Sequence, residues 1–225
     1  MNLYFLVEGR RTERKVYPAW LAHLVPKLKR VDYFKDLDDC CYMLFSGEGY
    51  PSLLDTHLPN AIKDYQRCQK LHRLVVCLDV DDSNAAQRVQ QVQERALKYG
   101  LPIDELRVIP QDCCIETWFL GNNKAVSPNP QSTELARFMS FYNVRVDDPE
   151  LMQMPIDFSV RSLFHSRYFH LVSQDKNFNY TKRHPRHVVD RVFLDELIAR
   201  RAKSNHLDTF GNFLALCTEI SSACP

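Results

Sequence analysis

Apolar and polar positions come in blocks that switch between a strand period and a helix period along the first half of the chain. Leu3 to Val7 is an unbroken apolar run of strand length. From Thr12 to Arg30 the period becomes helical: Trp20, Leu21, Leu24, Val25 and Leu28 share one face and Thr12 is placed to cap the start. Pro18 and Pro26 are positioned to kink or divide that span. Cys41 to Phe45 reads as a second strand, and Pro51 opens a helix that runs to about Lys70. Leu74 to Leu78 is apolar at every position, the pattern of a strand covered on both faces inside a parallel sheet. Ser83 then caps a Gln-rich helix that ends at Gly100, a C′ residue. Leu106 to Ile109 makes a fourth short strand, and Ile115 to Leu120 continues the core. This alternation predicts an α/β fold, a largely parallel sheet with helices on both faces and ligands gathered at the carboxyl ends of its strands.

Beyond Gly121 the strand pattern stops. GNNKAVSPNPQST is a polar, Pro-containing connector, and the remainder reads as helices over 133–142, 159–172, 185–203 and 207–218. The division expected is therefore an α/β domain over 1–121 and a C-terminal helical extension over 122–225 packed on it, suited to docking a substrate or partner.

Composition narrows the classes without naming one. The chain has 225 residues, 45% hydrophobic and 25% charged, as in ordinary globular proteins. Lys and Arg total 29 against 28 Asp and Glu, so bulk charge favours neither nucleic acid nor anionic lipid, and any such preference must come from local patches. No window approaches the length of uncharged apolar chain that spans a membrane, and the amino terminus reaches Glu8 too soon to hold a signal h-region. None of the eight cysteines forms a C-x-x-C pair, and Cys40-Cys41 and Cys113-Cys114 are adjacent doublets. Buried, reduced thiols in a cytoplasmic protein are the expectation.

The candidate chemistry sits where strands end. Asp79, Asp81 and Asp82 follow the dry strand within four positions, and their mutual repulsion calls for a cation or a set of donors. Glu8 and Gly9 close the first strand. In a parallel sheet both ends point to one edge, so Glu8 can converge with Asp79 and Asp81 around a hard cation such as Mg²⁺ or Mn²⁺. Gly9 suits a sharp turn, and Arg10 and Arg11 stand at the positive end of the first helix, a natural anion site. The densest basic run in the chain, Lys182-Arg183-His184-Pro185-Arg186-His187, lies far downstream. His184 and His187 have no third metal partner nearby in sequence.

The stretches YFLVEGRRTERKVYPAWL, LVVCLDVDD and CCIETWFL resemble the Toprim (topoisomerase-primase) fold, in particular RloB-like proteins and the Toprim halves of OLD-family nucleases. The resemblance covers about residues 1 to 120. It implies a Toprim-like sheet in which Asp79 and Asp81 hold a divalent ion, Glu8 is a metal ligand or general base, and Glu116, in Ile-Glu-Thr-Trp, completes a second site. One or two Mg²⁺ or Mn²⁺ ions would then serve phosphodiester hydrolysis. It further implies a lysine near the scissile phosphate, for which Lys182 is the candidate, with Arg10, Arg11, Arg183 and Arg186 contacting nucleic acid. Proteins of this branch act in bacterial anti-phage systems beside an ATPase. This chain has no G-x-x-x-x-G-K-[ST] loop, so a separate ATPase partner is expected, with DNA or RNA, including transfer RNA, as substrate.

Other readings of the same residues stay open. Asp79 and Asp81 could be the nucleophile and acid of a haloacid-dehalogenase-type phosphatase, although that motif normally sits on a first strand followed by Gly-Thr, where this chain has Asp82-Ser83-Asn84. A sugar-nucleotide transferase with a metal-binding Asp-x-Asp would leave Glu8 without a role. A non-catalytic subunit could keep the Toprim shape for interaction alone. Glu116 could cap a helix or pair with an arginine, and Trp20 and Trp118 are expected in the core.

Overall fold

A computed structural model describes residues 1–224. Five strands form one sheet: β1 (Leu3–Val7), β2 (Lys29–Arg30), β3 (Cys41–Ser46), β4 (Arg73–Asp79) and β5 (Leu106–Gln111). Their order is β2-β3-β1-β4-β5 and all run parallel, so the fold is α/β with helices flanking the sheet. The helices are α1 (Glu13–Leu24), α2 (Leu58–Arg67), α3 (Ala85–Lys98), α4 (Ile115–Leu120), α5 (Thr133–Phe141), α6 (Arg161–Asp175), α7 (Arg191–Ser204) and α8 (Asp208–Ala223).

The chain divides into two compact units. The first comprises 1–78, 84–110 and 212–225; the second comprises 79–83 and 111–211. Residue 121, where the composition changes, lies inside the second unit, and the last fourteen residues return to the first.

Register fixes the first unit. Leu3 to Val7 pair with Tyr42 to Ser46 on one side and with Arg73 to Cys77 on the other. With period two, alternate residues face opposite ways. Tyr4, Leu6, Leu74, Val76 and Leu78 pack with Leu58, Ala61 and Ile62 of α2 and Val92 and Ala96 of α3. On the other face the Cys77 thiol meets Tyr17 of α1 and Cys217 of α8, and burial among them pushes that thiol up. Phe213 of α8 closes this layer, its ring 5.3 Å from Tyr17 and 6.1 Å from Trp20. Two covered faces explain why β1 and β4 read as continuous apolar runs.

Several boundaries depart from the periodicity. α1 stops at Leu24 rather than Arg30, because Pro26 ends it, and Lys29 and Arg30 instead form the short charged edge strand β2. The helix expected from Pro51 begins as a π-helical turn over Leu53–His57 before α2. Asn84, not Ser83, caps α3, its side-chain oxygen accepting from the Ala86 and Gln87 amides at 2.8 and 3.4 Å. Gly100, with φ +79°, supplies the left-handed residue after α3.

The cysteine expectation needs correction at two positions: Cys40 and Cys224, 184 residues apart, form a disulfide within the first unit. The spacing gave no sign of it, since only the tertiary fold brings the two together. Cys41, Cys68, Cys77, Cys113, Cys114 and Cys217 are free thiols, all buried except half-buried Cys68.

The second unit is built on aromatic contacts. Phe138 and Phe164 lie with ring centroids 4.9 Å apart, Phe119 and Phe169 5.2 Å, and Trp118 and Phe210 5.5 Å. Among these rings runs a set of buried polar groups. The Arg200 guanidinium donates to the carbonyls of Gly121, Val144 and Asp147, to Asn123 Oδ1 and to His206 Nδ1. Among the described residues no helix is long and apolar enough to cross a membrane.

Candidate active site at the carboxyl edge of the sheet

Because Val7 pairs with Cys77, β1 and β4 end at the same edge: Glu8 follows Val7 at the level of Leu78, and Asp79, one step further on, closes β4. The Glu8 amide donates to Cys77 O at 2.9 Å, extending the ladder by one step. Its side chain is nearly buried, and Oε1 accepts the Tyr50 amide at 3.1 Å. The loop after β3 thus holds the carboxylate: the Gly49 amide also donates to Glu8 O at 3.0 Å. Gly9 leaves room for the Glu13 carboxylate, which a Cβ there would meet at 1.9 Å and push aside.

In the second unit the chain turns sharply after Asp79. The Val80 amide donates to Gln111 O and Cys113 O, both at 3.0 Å, and the Asp81 amide to Cys113 O at 2.9 Å. Asp81 adopts φ 52°, a left-handed conformation that aspartate tolerates better than most side chains. Asp82 is spent structurally, its Oδ1 accepting the Arg161 amide at 3.1 Å.

Glu116 lies in the first turn of α4 with only 1% of its surface exposed. Its Oε1 accepts the Tyr180 hydroxyl at 2.8 Å and stands 3.7 Å from the Lys182 ammonium. Lys182 reaches in from an exposed position, so one end of the pair is dry and the other meets solvent. A cavity of about 400 Å³ opens beside them, bordered by Arg167, His170, Tyr180 and Lys182. Glu116 and Asp79 share a neighbour: the buried Cys114 thiol is held well above its ordinary pKa by its hydrogen bond with Cys113, by burial, and by the charges of these two carboxylates.

Thr117 fixes the start of α4. Its hydroxyl oxygen accepts from the Cys113 and Cys114 amides at 3.1 and 3.3 Å, and it hydrogen-bonds His165 Nδ1 at 2.7 Å. His165, fully buried, spends its other nitrogen on Met152 O at 3.0 Å, and burial lowers its pKa to about 3. It is therefore a neutral structural histidine.

The structure brings Lys182 to Glu116. Arg10 pairs with Glu48 at 2.9 Å, and Arg11, Arg183 and Arg186 are exposed. His187 packs its ring on Phe178 with centroids 5.2 Å apart. Sequence reasoning missed Tyr50 and Tyr180, which hold the two buried glutamates. Tyr180 stands two residues before Lys182 and could have been found there; nothing marks Tyr50.

Carboxylate oxygens are the donors that Mg²⁺ and Mn²⁺ take, so the residue types at this edge fit such an ion. Among the described residues, however, no group of three or more His, Cys, Asp or Glu is arranged to hold a metal. No known protein family, curated protein or solved structure matches this chain.

Proposed function

We propose that the protein is a metal-dependent phosphodiesterase acting on DNA or RNA, of the kind its Toprim resemblance implies. The observation that carries the reading is the register of β1 with β4, which delivers Glu8 and Asp79 to one sheet edge. Glu8, Asp79, Asp81 and Glu116 would hold one or two ions, which when bound activate water and neutralise charge on the reacting phosphate. Tyr50 and Tyr180 orient Glu8 and Glu116 through the hydrogen bonds above. Lys182 supplies a positive charge for a phosphate oxygen, in competition with its contact to Glu116. Arg10, Arg11, Arg183 and Arg186 are the candidate contacts to the nucleic-acid backbone. With a formal charge of +1, tight unaided binding to long duplex is not expected, which favours delivery by a partner such as the ATPase implied by the resemblance. A cytoplasmic setting goes with that role.

The test is cleavage of plasmid, single-stranded DNA and transfer RNA with Mg²⁺ or Mn²⁺, alongside Mn²⁺ binding followed by electron paramagnetic resonance. Glu8→Ala should reduce cleavage to background and Lys182→Ala should lower it about a hundredfold, with circular dichroism unchanged. Asp79→Asn should weaken Mn²⁺ binding. Wild-type protein that takes up no Mn²⁺ at millimolar concentration would overturn the reading. The engagement of Glu116 by Tyr180 and Lys182 favours a second reading, a non-catalytic interaction subunit in which these contacts are structural; that outcome would support it.

A further inference from the structure

A second feature of the same edge concerns what lies beside Glu8. Tyr50, whose amide holds the Glu8 carboxylate, has its ring covered on one face by the Arg88 guanidinium, 3.9 Å from the ring centroid. Arg88 is nearly buried, whereas 40% of Tyr50 is exposed. A cation seated on one face of a phenol ring fixes its plane while leaving the remaining surface for another planar group. That surface borders a cavity of about 440 Å³ within the first unit, bounded by Tyr50, Leu54, Gln91, Glu94, Arg95 and Lys98. The volume suits one nucleotide.

The lining has the parts a nucleotide requires. Leu54 is buried and gives an apolar floor. The Gln91 side-chain oxygen accepts from Arg88 Nη1 at 3.3 Å, which turns its amide nitrogen into the group available to a base edge. Arg95 and Lys98 stand on the last turn of α3, with Arg95 held in place by Asp55 at 2.7 Å. They are the cations for a flanking phosphate, while Glu94 disfavours a more strongly anionic ligand.

We propose that Tyr50 is the stacking platform for one unpaired nucleobase of a single-stranded nucleic acid, and that the cavity beside it seats that nucleotide. The proposal rests on the phosphodiesterase reading only for the origin of the strand. Through the Tyr50 amide the base would be tied to Glu8, so the same loop that positions a candidate ligand also places the substrate. Stacking accepts any base, which makes the site selective for unpaired strands and not for sequence.

The test measures binding without catalysis. Full-length protein in excess EDTA is titrated against short fluorescein-labelled single-stranded DNA and RNA at fixed salt, read by anisotropy. Tyr50→Ala should raise Kd about tenfold, Tyr50→Phe should stay within about twofold, and a probe with abasic residues should bind wild type and Tyr50→Ala alike. Equal affinity of wild type and Tyr50→Ala for the intact probe would overturn the proposal, as would a Tyr50 dependence seen only with a free mononucleotide. Since neither metal nor cleavage enters, binding that depends on Tyr50 without any nuclease activity would sink the catalytic reading alone. Cleavage with Tyr50-independent binding would sink this one.

Discussion

Between the strands and helices of the first unit the buried residues are nearly all apolar, and its buried polar groups, Asn2, Glu8, Thr12, Glu13 and Arg88, lie at strand ends, in α1 and in α3. The second unit buries Glu116, Thr117, Asn122, Glu150, His165, Arg200 and Thr209 among its aromatic rings. An apolar interior tolerates change by degrees, whereas a buried polar network fails when one member is lost, because the partners left behind cannot reach water. Glu150 shows the point: it accepts from both the amide and the hydroxyl of Thr209, whose oxygen in turn accepts from Trp118 Nε1 at 2.8 Å and the Asp112 amide at 3.2 Å.

The two tryptophans fall one in each unit, Trp20 in the first and Trp118 in the second, so single-tryptophan variants can follow each by fluorescence. The largest effect should come from Arg200→Ala, which strands five acceptors: about 3–5 kcal/mol from the urea transition seen by Trp118, with a smaller shift at Trp20. Equal shifts at both probes would break the distinction drawn between the units. Next, Cys224→Ser should lower the transition reported by Trp20 by about 2–4 kcal/mol, and dithiothreitol should bring the wild type to the same midpoint. If reductant leaves the wild type unchanged, the crosslink is not holding the first unit.

The smallest effect is a pH dependence confined to the second unit. Burial raises the Glu150 carboxyl from 4.5 to about 7 against the lowering effect of the Thr209 hydrogen bonds, with Asp148 and Asp112 adding to the rise. The folded state therefore holds the proton more tightly, so this contribution is complete below about pH 4.5 and lost as pH rises through about 7. His165 acts in the opposite sense: its stability is present above 6.5 and lost as pH falls toward about 3. Denaturation of wild type against Glu150→Gln should show a difference on the order of 2 kcal/mol between the acid and alkaline limits, developing between about pH 4.5 and 7, with the His165 contribution common to both proteins and cancelling in the comparison. Parallel curves would remove Glu150 as the source.

The strands of the sheet were legible because a doubly covered strand must be apolar throughout, and Leu3–Val7 and Arg73–Asp79 stand where the runs predict. In the second half α5 and α6 lie close to their expected spans, whereas α7 begins at Arg191, six residues later than expected, after a separate turn over His187–Val189, and α8 runs on to Ala223. The two-residue strand β2 was hidden because Lys29 and Arg30 carry no apolar signal and owe their conformation to pairing with Cys41 and Tyr42. Of the expected site, Glu8 and Asp79 followed from strand ends. The resemblance offered Lys182 only as a lysine near the scissile phosphate, and no local pattern marked its approach to Glu116 across 66 residues.

By itself the sequence determined the parallel sheet, its apolar faces and the carboxylates at its rim, because period and turn chemistry are local properties of the chain. Only the tertiary structure decided that Cys40 joins Cys224, that Arg200 gathers the segments 121–123 and 144–147, and that Tyr50 and Tyr180 hold the buried glutamates. Such contacts join residues tens to hundreds of positions apart, and the free energy of a hydrogen bond or crosslink depends on what the fold brings within reach and shields from water.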